Sequence, residues 1–195
     1  MDKNAFPGID SIRRYSVARP GGWTIFGNAE QFDSLPQETK DQVVFLNADA
    51  SRFVSDYFEI ARLMTGGGWD PFAGGNFKSV DRFNGFYHGE ESRQLLKKWL
   101  YHRGLPFSAW VFILQNSHEV IMTTWKMVIR YSAYIFYGDD VAVFDRTLNW
   151  CLFYYHDDVM FFGKDRVVDT AEDERMMMEL NERKRKYPQF RHPFL

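Results

Sequence analysis

The chain of 195 residues carries a single cysteine, Cys151, which excludes an intramolecular disulfide and any cysteine-built metal centre. Set among Trp150, Leu152 and Phe153, that thiol reads as a small buried hydrophobe, and a disulfide-free chain fits a reducing compartment. Charge of one sign is also lacking. Twenty-four basic residues stand against 26 acidic ones, for a net charge of −2, so no overall field draws the protein to a polyanion and nucleic acid is not the expected partner. Long apolar runs are missing too. Lys126, Arg130, Asp139 and Asp145 interrupt the most hydrophobic stretches, and residues 1–12 have no apolar export core, so the expectation is a cytoplasmic protein without a membrane span.

Catalytic spacings are equally scarce. The glycine-rich stretch 66–79 ends in Lys78 and Ser79, but Asn76 and Phe77 separate the glycines from the lysine, and a helix pattern precedes it where a phosphate loop needs a strand. His88, His102, His118, His156 and His192 have no partner at the i, i+4 spacing of a zinc site. No Gly-x-Ser-x-Gly elbow frames a serine, and Cys151 has no cationic neighbour to lower its pKa. The pairs Glu90-Glu91 and Asp139-Asp140 fall at a helix start and a turn, where acids are favoured without catalysis. Neither a metal nor a cofactor is expected.

What the sequence has in quantity is aromatic side chains, 18% of all residues within a 45% hydrophobic composition. That is enough to bury a substantial core, and one globular domain over 1–195 is expected. Residues 23–26 read as a short strand after the Arg19-Pro20-Gly21-Gly22 turn signal. Pro36 with Gln37 and Glu38 marks a helix start, and the helix is expected to run to about Phe45. A second helix follows over 50–64, capped by Asp49, with Phe53, Tyr57 and Ala61 on one stripe, ending in Gly66-Gly67-Gly68. Residues 90–103 form the clearest helix, acidic at its start, basic at its end and stopped by Gly104 and Pro106.

Segments 109–114 and 119–124 then read as a β-hairpin, 125–134 as a helix, and 141–145, 150–156 and 159–162 as an antiparallel meander. A polar helix over 169–186 closes the pattern, with Met176, Met177 and Leu180 as its apolar stripe and the basic run 183–186 as a solvated C-terminal end. The fold class is therefore α+β: helices of about 34–104 on one face of a sheet of about 107–163, the other face partly open, and a polar C-terminal helix. An exposed aromatic sheet face would be a binding surface. Asp139, Asp140, Asp157 and Asp158 would form a negative rim beside Trp150, Tyr154 and Tyr155, with Trp69 and Phe72 as further anchors on the glycine-rich loop.

From the Trp-led segment at 125, through Ile135-Phe136-Tyr137-Gly138-Asp139-Asp140 and the strand 141–145, to Phe161-Phe162-Gly163-Lys164, the order of features resembles small bacterial domains of the immunity type. Such proteins are encoded beside antibacterial toxins, including polymorphic and type VI secreted ones. The resemblance implies a cytoplasmic protein that binds a cognate toxin and occludes its active site, a role that needs no catalytic residue. Two other readings stay open: an enzyme whose site is assembled from His88, His156, Asp157 and Asp158, and a regulatory adaptor using the basic C-terminal helix.

Overall fold

The computed structural model describes residues 12–21, 25–64, 70–85, 89–167 and 170–188. One antiparallel sheet of eight strands organises them: β1 (Ser16–Val17), β2 (Val43–Leu46), β3 (Phe77–Asn84), β4 (Trp110–Asn116), β5 (Glu119–Thr124), β6 (Val141–Phe144), β7 (Trp150–Tyr155) and β8 (Val159–Arg166). Their order across the sheet is β1-β2-β5-β4-β6-β7-β8-β3. The hairpin and the meander expected from the sequence are both present. Around the sheet lie α1 (Ala29–Asp33), α2 (Gln37–Lys40), α3 (Ala48–Ile60), α4 (Glu90–Tyr101), α5 (Trp125–Arg130), α6 (Ser132–Ile135) and α7 (Thr170–Lys186). The α+β class holds.

Several boundaries differ from the sequence reading, each for a local reason. The helix begun at Pro36 stops at Lys40, and Val43–Leu46 becomes a fully buried strand paired with β5. Four consecutive apolar residues carry no periodicity, so neighbours decide their state. α3 is capped by Asn47, whose side chain accepts the Ala50 N–H at 2.9 Å, and Asp49 sits in the first turn. It ends at Ile60 with Ala61 as its C-cap, before Arg62 turns left-handed with φ 50°; Gly66, Gly67 and Gly68 lie outside the described residues. The helix expected over 125–134 is two short helices broken at Tyr131, whose ring packs edge-on against Phe26 at 5.3 Å. Ile25 and Phe26 sit buried in a turn, and the rest of the strand expected over 23–26 lies outside the described residues.

The larger correction concerns the sheet's origin and its coverage. Its strands are not confined to the C-terminal half: β1 and β2 form one side and β3 the other. Helices pack on both faces, so among the described residues no aromatic face stays open over the central strands. Phe112, Met122, Phe144, Cys151, Phe153 and Phe161 join a core with α3 and with Leu180 of α7. Val111, Ile113, Ile121, Val143, Trp150, Leu152 and Phe162 join a second core with Phe32, Leu96, Leu100, Trp125 and Ile135 of α1, α4, α5 and α6. Successive strand residues point to opposite faces, so a strand buried on both sides reads as an uninterrupted apolar run. That is the pattern of Val-Ala-Val-Phe in β6 and Trp-Cys-Leu-Phe-Tyr in β7.

α7 docks on this framework through Leu180 and Tyr187, both buried. The side chains of Met176 and Met177 lie outside the described residues. Its basic end is not simply solvated, which corrects the sequence reading. Arg183 approaches the Asp56 carboxylate of α3 at 3.7 Å, Arg62 pairs with Glu179 at 2.5 Å, and Lys184 is buried, where desolvation lowers its pKa. Lys186 lies 5.1 Å from the ring of Tyr187.

Candidate functional site

One end of the sheet collects the acidic residues. Tyr155 of β7 pairs with Val159 of β8, leaving a three-residue turn of His156, Asp157 and Asp158. Such loops close with a left-handed residue, and Asp158 supplies it at φ 59°; aspartate tolerates that conformation better than most side chains. The Asp158 carbonyl accepts the Gly85 N–H at 3.3 Å, and its carboxylate accepts the Tyr154 hydroxyl at 3.1 Å. Desolvation and that adjacent carboxylate raise the Tyr154 pKa. The turn is therefore tied to β7 beside it and to the end of β3.

The β6 lead-in faces this turn because Val141 pairs with Tyr154, which sets Asp140 against His156. One Asp140 oxygen accepts both the His156 backbone N–H at 3.0 Å and Nδ1 of its ring at 2.8 Å. Gly138, at φ 84°, makes the preceding turn, and Asp139 accepts a long bond from Gln115 of β4 at 3.4 Å. His156 consequently faces Asp140, Asp157 and Asp139, and its pKa rises, chiefly through the hydrogen bond to Asp140. Four carboxylates and one imidazole make a rim that stays negative even when the ring is protonated. The four aspartates named from the sequence are thus brought together, and His156 belongs with them through Asp140 rather than through its chain neighbours.

The aromatic anchors fare differently. Trp150 is 4% exposed and stands at the other end of β7, its indole N–H donating to Asp145 at 3.0 Å; at about 3.3 Å per residue, the four residues to Tyr154 span about 13 Å. Tyr154 is 2% exposed and Phe72 is 3% exposed, the latter edge-on to Phe77 at 5.0 Å. These three are core residues and are corrected as surface anchors. Tyr155 is half-buried with its ring 4.2 Å from that of His156, so it stays at the rim. Trp69 and His88 lie outside the described residues.

Tyr137, 74% exposed, and Tyr134, 49% exposed, lead into Gly138, and neither is among the contact residues expected from the sequence. Tyr137 sits directly before Gly138-Asp139, in a turn where a ring has no strand to shelter under. That placement was its only sequence signal.

Chemically the rim is a display of charge on rigid strand ends. Among the described residues no group of three or more His, Cys, Asp or Glu is placed to hold a metal ion. The phosphate-loop reading fails geometrically as well, because Lys78 and Ser79 stand on strand β3 and not at a helix start. Burial raises the pKa of Cys151, which leaves it an inert thiol. No helix among the described residues is long and apolar enough to cross a membrane. No family model, curated protein or solved structure matches this chain.

The His156–Asp140 pair gives a direct pH prediction. A histidine whose folded pKa exceeds its unfolded one stabilises the fold fully below the ordinary value of 6.5, and that contribution disappears as pH rises through the raised value. An NMR titration should therefore place His156 above 6.5, and Asp140→Asn should move it down. A wild-type His156 that titrates at or below 6.5 contradicts the pairing.

Proposed function

We propose that this protein works by contact, as an immunity-type inhibitor that seats its acidic rim on a basic surface of a cognate toxin and occludes the toxin's active site. The observation that carries this reading is the convergence of Asp139, Asp140, Asp157 and Asp158 around His156 at one sheet end, beside the exposed ring of Tyr137 and the half-buried ring of Tyr155. Strand ends hold these groups in place before any partner arrives, which limits the ordering cost of binding. A negative rim accelerates encounter with a cationic partner and rejects an acidic one. Tyrosine adds contact area with few rotors to immobilise. A cytoplasmic site of action goes with this reading.

The test is complex formation with the products of the genes adjacent to this one, which on this reading include a toxin. Asp140 and Asp158 also hold turns together, so the informative substitutions are Asp139→Lys and Asp157→Lys. The double variant should weaken the complex about thirtyfold, mostly through slower association, and raised salt should weaken the wild-type complex in the same way. An unchanged Kd with the fold intact, or no complex at micromolar concentration, refutes the proposal.

A second reading, acid–base catalysis, rests on the 2.8 Å contact of His156 with Asp140. Its requirement is turnover that His156→Ala abolishes while the sheet stays folded. The pair is about half exposed on both sides and so lies open to water, whereas a catalytic pair is usually sheltered from it, which is why contact is the preferred reading.

A further inference from the structure

The two edges of the sheet are unlike. One is β1, only two residues long. The other is β3, eight residues long, in register with β8 from Phe77 opposite Arg166 to Asn84 opposite Val159. Among the described residues β8 is its only strand neighbour, so about half of its N–H and C=O groups point away from the sheet. Shortness protects the first edge from stray pairing, whereas on β3 only charge does so.

Lys78 and Arg82 outnumber the single acid of β3, Asp81. Lys78, Val80 and Arg82 alternate along the strand and are all exposed, so on the pleat they share one face. Arg82 lies over the Phe161 ring at 5.4 Å and donates to Asn84 at 2.8 Å. The acid on the strand, Asp81, is taken up by Arg103 just past α4. Lys164 of β8, opposite Ser79, is exposed as well. The edge therefore presents cation, apolar, cation along a ready row of backbone donors and acceptors.

We propose that β3 receives an extended acidic segment of a partner protein as a ninth strand, with main chain paired to main chain. Carboxylates two positions either side of an apolar residue would meet Lys78 and Arg82 across Val80. A second copy of this chain fits worse. Two-fold antiparallel pairing centred on Val80 sets Lys78 opposite Arg82, and pairing centred on Asp81 sets Asp81 opposite itself, both like-charge contacts. This surface is distinct from the acidic rim and requires the opposite charge in its partner.

The test uses the full chain with the capped peptide Thr-Glu-Thr-Val-Thr-Glu-Thr as probe, read by amide shifts and hydrogen exchange. Binding should protect amides of β3 selectively. Lys78→Glu with Arg82→Glu should lower affinity at least about tenfold and confer binding of the matching lysine peptide. An N-methylated version of the probe keeps its charges but loses its donors, and it should not bind. Asp139→Lys with Asp157→Lys should leave peptide binding intact, which separates this result from that for the rim. Equal binding of the N-methylated peptide, protection elsewhere, no binding at all, or a β3-mediated dimer in the absence of peptide each overturns the proposal.

Discussion

Phe144→Ala is expected to cost about 3–5 kcal/mol of folding stability, the usual range for emptying a fully buried aromatic site. Phe144 has no exposed surface and lies on central strand β6. Its ring stacks on Phe58 of α3, 4.4 Å between centroids at 18°, and leans on Phe112 of β4 at 5.7 Å. Truncation removes the ring that joins helix layer and sheet, and the surrounding strands are held by their ladders and cannot collapse into the gap. Urea denaturation should show a lower midpoint at unchanged slope. A loss below about 1 kcal/mol would mean that α3 is not packed on the sheet as described.

Gly163→Val is expected to destabilise by at least about 3 kcal/mol, the upper end of ordinary overpacking. A Cβ at position 163 would lie 2.4 Å from the Phe77 ring, which rests directly on the glycine. β8 is hydrogen-bonded on both sides, to β7 and to β3, so the backbone has nowhere to retreat. The added side chain must expel Phe77, and with it the contact of Phe77 with Phe72. Hydrogen exchange should show β3 losing protection before β6 or β7. Because the clash is with one ring, Phe77→Ala combined with Gly163→Val should be clearly less than additive in a double-mutant cycle, and full additivity would refute this account.

These two sites show where local and long-range information part. In the sequence Gly163 is one member of the stretch Phe161-Phe162-Gly163-Lys164, and Phe72 is a loop aromatic open to a partner. The ring of Phe77, 86 residues from the glycine in sequence, connects the two. The reading of Phe72, Trp150 and Tyr154 as contact residues failed for a common reason: aromatic composition records that a ring seeks burial, not which surface buries it. The reading of the four aspartates as neighbours agrees with the structure, because hairpin turns and adjacent strands bring their ends together by register.

The sequence by itself determined the elements whose signals are local. The helix at Glu90–Tyr101 has its acids, bases and stop residues within one segment, and Gly104 adopts φ 74° just beyond it. The hairpin of β4 and β5 and the meander of β6, β7 and β8 followed from β-rich runs separated by short polar turns. Only the tertiary structure decided that Val43–Leu46 is a strand, that polar Phe77–Asn84 is an edge strand, and that helices cover both faces. The physical reason is periodicity. A strand buried on both sides has no polar positions to mark its faces, and an edge strand exposed on both sides has few apolar ones, so each acquires its place from the strand it pairs with.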